Sequence, residues 1–364
     1  MTKTIPPLRE ILDRLRTEGL IADAAAVSSL SENAGQADQG MPWYVRAMVA
    51  MSAWIAALLL QGFFYGTHLV RSSESMAVVG ALLCATSVVL QRNGKQVLFL
   101  ASLALALCFT GQVMLIAGLG SSIHSVVTVA FLVMVLNVGF LVVYDDRTMR
   151  FLSTLAIIIA SFTTILDKHI PYGFQVMTLL LAGGSAALWT SEAKLAAGKL
   201  APFYRPVGYG MVVGLFGYLM PSVMPGYLTP HFYAPYGSWI AAGGMLLVLI
   251  YLEYRLLLEH ALLGDRAVAA TVFIGTLVLF YPARRMPGMI AAIIVLLLGF
   301  RRGNRILMGF ALAFLFVFIS AYYYHLGMTL MQKSIALMVA GAVLLALRFA
   351  LVKILGEARE TAHE

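Results

Sequence analysis

The sequence has almost no charge within its apolar segments. Of its 364 residues, 61% are apolar and 12% are charged, whereas soluble globular domains carry about 25% charged residues. None of the 25 Lys and Arg or 17 Asp and Glu lies in the central part of the apolar stretches that follow Trp43. Because a buried ion is costly in a bilayer, this composition excludes a soluble globular protein and predicts an integral membrane protein. It also argues against an ion-coupled pump, because such pumps generally use intramembrane charges.

Cysteine is also scarce, since Cys84 and Cys108 are the only two and both lie within apolar runs. This number and placement exclude a disulfide framework, so we expect two packing residues. The first 40 residues contain no apolar secretory signal with a cleavage site, so we expect the N-terminus to be retained. The net charge of +8 comes from pairs and triplets of basic residues between apolar runs. We therefore expect no nucleic-acid partner.

The sequence offers no recognisable catalytic or metal-binding constellation. Asp145 and Asp146 are the only paired carboxylates, and no second acidic cluster completes the set that a membrane transferase for lipid diphosphates would need, so we expect a solvated cytoplasmic turn there. Glu253 and Glu259 are assigned to the same cytoplasmic side, mixed with basic residues. No histidine stands three or four residues from another His, Cys or carboxylate in a recognisable site motif. We therefore expect no enzyme activity, no cofactor and no metal.

The apolar periodicity predicts an all-α polytopic transmembrane bundle with about twelve spans. Residues 1–42 are assigned to a cytoplasmic helical hairpin and linker, residues 43–355 to the bundle, and residues 356–364 to a cytoplasmic tail. The predicted spans are 44–66, 75–90, 96–117, 123–144, 151–166, 173–190, 207–224, 239–254, 267–281, 287–300, 306–324 and 334–353.

The basic residues predict the orientation of this bundle. With a cytoplasmic N-terminus, twenty of the 25 Lys and Arg fall in inside segments and five fall outside. Since cytoplasmic segments are enriched in Lys and Arg, we expect both termini in the cytoplasm.

Polar and small residues within the spans suggest contacts between helices. The amides Gln61, Gln112, Asn137 and Gln175 each need a partner in lipid, and bonding between helices or a substrate path would supply one. Gly210 and Gly214 form a small-xxx-small pair that permits close helix approach.

Four residues form a candidate anion or lipid site on the outer face. Arg284 and Arg285 lie against the positive-inside trend, in the turn between two predicted spans of about 15 residues, which are short for a hydrocarbon core of about 30 Å. His325 ends the eleventh predicted span, and Lys333 begins the twelfth. Guanidinium and ammonium groups here would suit a phosphate, a carboxylate or an anionic headgroup. Simple anchoring of these side chains at the outer interface is the alternative.

The C-terminal segment Ala321 to Arg348 (AYYYHLGMTLMQKSIALMVAGAVLLALR) resembles the domain of unknown function 4401 family of bacterial membrane proteins. The resembling elements are the tyrosines before Leu326, then Thr329-Leu330, Lys333-Ser334 and the apolar helix after them. Leu8 to Ile21 is similar to the cytoplasmic start of related proteins. The resemblance implies a bacterial inner membrane and, in some members, a neighbouring membrane protein with a Gly-Asp-Tyr motif. It implies no catalytic residues.

Two functions agree with these observations. One is a non-catalytic subunit or scaffold of a membrane complex, with membrane lipids and a second membrane protein as partners. The other is a transporter or lipid-handling permease without intramembrane ion-coupling charges. A water-accessible cavity reaching the midplane would favour transport, and a solid bundle with an exposed groove between helices would favour assembly.

Overall fold

The computed structural model describes residues 43–67, 70–93, 97–223, 237–259, 266–283 and 286–325, with scattered helical residues between 331 and 349. All regular structure in these residues is helical. The predicted N-terminal hairpin and C-terminal tail lie outside them. The helices are α1 (Trp43–Gly66), α2 (Ser73–Asn93), α3 (Leu98–Ser122), α4 (Val126–Val143), α5 (Arg147–Asp167), α6 (Gly173–Thr190), α7 (Glu192–Ala196), α8 (Ala201–Leu219), a 3₁₀ turn (Met220–Ser222), α9 (Gly237–Glu259), α10 (Arg266–Ala283), α11 (Pro287–Arg301) and α12 (Arg305–His325).

Short polar side chains mark where several helices begin. Ser125, Asp146 and Asn304 each accept a hydrogen bond from a backbone N–H in the first turn of α4, α5 and α12, respectively. These bonds satisfy donors that have no partner within the helix. Between α11 and α12, Gly303 has φ +61°, a left-handed conformation that suits glycine in a tight turn.

Seven described helices, α1 to α6 and α9, are long and apolar enough to cross a membrane. Shorter apolar stretches occupy α10, α11 and α12. The all-helical membrane architecture is therefore confirmed for the described residues, while the total of twelve spans and the cytoplasmic termini stay predictions. Helix α8 belongs to neither group, and about half of its residues are buried in protein.

Three helices differ from a predicted bound by five residues or more, and one of them, α3, continues to Ser122 beyond the predicted end at 117. The span predicted at 207–224 is a helix at Ala201–Leu219, because Pro202 lies in its first turn, where a fixed φ is tolerated. The span predicted at 239–254 continues as helix to Glu259. Charged residues near its end extend the helix, so hydropathy alone ended it too early.

The first compact unit, Met1–Leu115, contains α1, α2 and most of α3. Helices α2 and α3 approach closely at Gly80 and Gly111. A Cβ at Gly80 would lie 2.5 Å from the backbone nitrogen of Leu115 and 2.7 Å from the carbonyl oxygen of Gly111. The buried thiol of Cys84 lies 3.7 Å from the carbonyl oxygen of Cys108, and both cysteines are free, in agreement with their predicted packing role.

The second compact unit, Ile116–Glu364, contains the main apolar core. Helix α8 packs on α5 and α6, and α9 packs on α6 and α11. The predicted Gly210 and Gly214 pair forms a specific contact, because added Cβ atoms would meet Thr154 and Ile158 of α5. Phe216 stacks on Phe314 with ring centroids 4.0 Å apart.

Helix α11 has 15 residues, or about 22 Å of helix at 1.5 Å per residue. More than half of these residues are buried, and α12 lies directly against it, with Gly288 under the ring of Phe318. Because protein surrounds α11 so extensively, its length need not match the thickness of the bilayer.

Candidate functional site

The predicted outer-face site falls largely outside the described residues. Arg284, Arg285 and Lys333 are not among them, and His325 is described only as the last residue of α12. The two residues that flank the arginines, Ala283 and Met286, are buried. The outer-face site therefore stays a prediction.

A cluster at one end of the second unit surrounds Glu192, the first residue of α7. Its Oε1 accepts a hydrogen bond from the Tyr204 hydroxyl at 3.0 Å and lies 3.5 Å from Nη2 of Arg205. Its Oε2 lies 3.4 Å from Nε of Arg302. Two arginines thus share one carboxylate, which ties the start of α8 to the turn between α11 and α12.

Arg302 also caps the end of α6. Its Nε donates to the carbonyl oxygen of Trp189 and its Nη2 to that of Thr190, each at 3.2 Å. Cations are favourable at the C-terminal end of a helix, where carbonyl groups lack partners within it. The guanidinium is therefore used in binding the protein's own backbone.

A second ion pair joins the ends of α9 and α11. Nε of Arg301 donates to Oε2 of Glu259 at 2.7 Å, and Nη2 contacts Oε1. This two-point geometry suits a guanidinium and a carboxylate. Nη1 of Arg301 is buried without a hydrogen-bond partner among the described residues.

The predicted acidic pair, Asp145 and Asp146, has structural contacts. Oδ1 of Asp146 accepts the backbone N–H groups of Thr148 and Met149 and so caps α5. Asp145 pairs with Arg150 at 3.2 Å. The sequence assigned this turn to solvent, but Arg150 is only 4% exposed.

Arg150 is held by elements distant in sequence. It donates to the carbonyl oxygens of Leu141 at 3.4 Å and Pro202 at 3.2 Å. Its guanidinium also lies 4.1 Å from the ring centroid of Phe203. It therefore connects the turn between α4 and α5 to the first turn of α8.

Two of the four predicted amides donate hydrogen bonds within their own helices. Asn137 donates to the carbonyl oxygen of Val133 at 2.9 Å, and Gln112 donates to the sulfur of Cys108 at 3.6 Å. These two donors do not make the predicted contacts between helices. Oδ1 of Asn137 is buried without a partner in the described part of the chain.

One buried carboxyl was missed by the sequence analysis. The sequence places Glu253 among mixed charges on the cytoplasmic side, but the side chain lies within α9 and is only 9% exposed. Its Oε1 accepts a hydrogen bond from the Thr276 hydroxyl of α10 at 2.5 Å. The sequence spacing could have indicated this burial. Leu249 and Leu257 stand four residues before and after Glu253, so they share its face of the helix, and both are buried.

An apolar groove of about 560 Å³ lies in the second unit, between the end of α3 and helices α4 and α5. Gly120, Ala130, Ala156 and Ala160 give part of its wall small side chains. His124 and Thr163 are among the few polar residues that line it. Within the described residues, no group of three or more His, Cys, Asp or Glu is placed to hold a metal ion.

Comparison with known proteins supports the predicted family. The family model described as "Domain of unknown function (DUF4401)" matches residues 42–354, which is most of the chain. No curated protein and no solved structure matches the chain significantly.

Proposed function

The chain belongs to the domain of unknown function 4401 family, and we propose that it is a non-catalytic subunit or scaffold of a membrane complex. The family supplies no reaction, so the proposal is based on how the second unit is packed. Its described interior is a filled apolar core, and its apolar groove opens at the side of the helices.

The packed core is the observation that carries this proposal. Trp189, Phe216, Phe318, Leu215 and Met245 are each at most 2% exposed in the second unit. A carrier needs a polar path to a substrate site near the bilayer midplane. Aromatic rings and aliphatic side chains make up most of the described interior, and its buried polar side chains are interspersed among them, which favours a scaffold.

The groove suits a transmembrane helix of a second membrane protein. Small residues let the backbones of two membrane helices approach closely, which strengthens their van der Waals packing. Gly120 and three alanines provide such a wall here. Helix α4 beside the groove has only 17% of its residues buried, so much of its surface is free to contact another helix.

Gly120 allows a direct test, because a Cβ added there meets nothing within 4 Å. Gly120→Leu would put a branched side chain into the groove, and its Cβ would contact no other residue. Gly139→Leu is the matched control, since Gly139 is also helical, lies outside the groove lining and has equal space.

Both variants would be extracted in a mild detergent and purified natively, with quantitative mass spectrometry of bound proteins. A stoichiometric membrane protein should accompany the wild-type and Gly139→Leu chains and be reduced at least tenfold with Gly120→Leu. Purification of the wild-type chain without any such protein would refute the subunit proposal. Equal retention by both variants would refute the groove as its contact.

The second candidate is a transporter or lipid-handling permease. The sequence disfavoured ion-coupled transport because charge was lacking within the spans, and the buried Glu253 in α9 weakens that objection. Reconstitution in liposomes separates the candidates. A flux of lipid or ion that depends on the purified chain alone would support transport over scaffolding.

We also propose the finer topology: twelve spans in a bacterial inner membrane with both termini in the cytoplasm. The distribution of Lys and Arg supports this orientation. Cysteine variants at Ser191 and Ser238 should be labelled from opposite sides, the first from the cytoplasm. Labelling of both from one side would contradict the topology.

The outer-face site is retained as a proposal for binding anionic lipid headgroups. Arg284, Arg285, His325 and Lys333 supply its cationic and imidazole groups. Arg285→Ala and Lys333→Ala should each lower the amount of anionic lipid that co-purifies with the chain. An unchanged lipid content in both variants would refute this site.

A further inference from the structure

Glu253 lies well inside a helix pair. It stands six residues before the end of α9, or about 9 Å from that end at 1.5 Å per residue. Its partner Thr276 stands ten residues into α10, about 15 Å along that helix. The carboxyl group therefore lies between two apolar helices rather than in the loop that connects them.

The two oxygens of this carboxyl group have different surroundings. Oε1 accepts the Thr276 hydroxyl hydrogen bond at 2.5 Å. Oε2 is fully buried and has no hydrogen-bond partner among the described residues. Burial of this kind disfavours the ionised carboxylate relative to the neutral acid, because burying a charge without compensation costs more than burying a dipole. The surroundings thus favour a proton on the Glu253 carboxyl group.

No described cation compensates Glu253. On its own helix, Arg255 and Glu259 are exposed, and Glu259 is paired with Arg301, the last residue of α11. Helix α10 carries charge only at Arg266, its first residue, and α6 has no charged residue. The tyrosines of α9, Tyr251 and Tyr254, are exposed, and Tyr281 of α10 stands near the other end of that helix.

We propose that Glu253 is a proton-binding site within the membrane domain, positioned by Thr276. The site goes beyond lateral assembly and does not depend on the groove. Water supplies the proton and takes it back, and only the O–H bond of the carboxyl group forms or breaks. Exchange occurs through the end of the bundle that carries the Glu259 and Arg301 pair, because that end of α9 is the nearer one.

Dicyclohexylcarbodiimide tests the proposal on the full-length chain in lipid nanodiscs. This apolar reagent adds to protonated carboxyl groups in apolar surroundings and leaves a stable N-acylurea, which peptide mass spectrometry locates. We expect an adduct on Glu253 that falls at least tenfold as the pH is raised and the carboxyl group loses its proton. Glu253→Gln should abolish the adduct while keeping an oxygen that accepts from Thr276.

Glu259→Gln is the matched control, because Glu259 lies on the same helix but is exposed and ion-paired; the adduct on Glu253 should persist in this variant. Infrared difference spectra after a pH jump give a second measurement that needs no reagent access. The C=O band of a protonated carboxyl group should be present in the wild type and absent in Glu253→Gln. An adduct on Glu259 instead of Glu253, or the lack of both the adduct and the band, would overturn the proposal.

Discussion

Replacing Arg150, which lies in the first turn of α5, with Met should destabilise the second unit strongly, although the sequence predicts a solvated turn at this position. The change removes hydrogen bonds to the carbonyl oxygens of Leu141 and Pro202, at 3.4 and 3.2 Å. At these long distances we assign about 1 kcal/mol to each bond, below the usual range for charged donors. Loss of the Phe203 ring contact adds about 1 kcal/mol. The pair with Asp145 adds only about 0.5 kcal/mol, because that carboxylate is largely exposed.

The expected loss for Arg150→Met is therefore about 3.5 kcal/mol, or roughly a 300-fold change in the unfolding equilibrium constant. Arg150→Lys keeps the charge but cannot reach all of these acceptors, so it should lose about 2 kcal/mol. Reversible unfolding by sodium dodecyl sulfate in mixed micelles would measure both values.

Arg147 provides the control, since it lies three residues earlier on the same helix and is exposed. Arg147→Met should change the free energy of unfolding by no more than about 0.5 kcal/mol. Equal effects of Arg147→Met and Arg150→Met would refute the argument, because they would show that charge near the membrane surface matters and the buried contacts do not.

Three further changes test packing. Gly80→Ala should destabilise the first unit by about 1–3 kcal/mol, because the added Cβ would meet the backbone of α3. Gly62→Ala is the control and should not destabilise it, since a Cβ at Gly62 meets nothing within 4 Å. Thermal unfolding in detergent would compare the two variants. Phe314→Ala removes one ring of the stacked pair and should cost about 3 kcal/mol, whereas Phe316→Ala, at an exposed position, should cost under about 1 kcal/mol, as measured by the same unfolding assay. Arg302→Ala should speed amide hydrogen exchange in the last turn of α6, and unchanged exchange would contradict its capping role.

Much of the helical framework could be predicted from local sequence. Each of α1 to α6 contains an apolar run near the length that spans a bilayer, and a backbone in lipid must satisfy its own hydrogen bonds. The predicted bounds of these helices agree with the structure within five residues. The bounds of α8 were predicted less well, because its prolines and Arg205 interrupt the apolar run at its start. The helix is also partly buried in protein.

The environments of charged residues were harder to predict. Arg150 resembles a solvated basic residue until Pro202 and Phe203, some fifty residues later, are packed against it. Glu253 resembles the charged end of a span, since hydropathy averages over all faces of a helix. Only the buried leucines on its own face and the hydroxyl of Thr276 place it inside the protein.

The sequence by itself determined that this chain is a helical membrane protein and, through its C-terminal segment, the family to which it belongs. Those properties follow from local hydropathy and motif. Tertiary structure alone decided which polar groups are buried and what they contact, because burial depends on helices that are distant in sequence. The burial of Glu253 and Arg150 and the presence of the apolar groove could therefore be recognised only from the packing of the described helices.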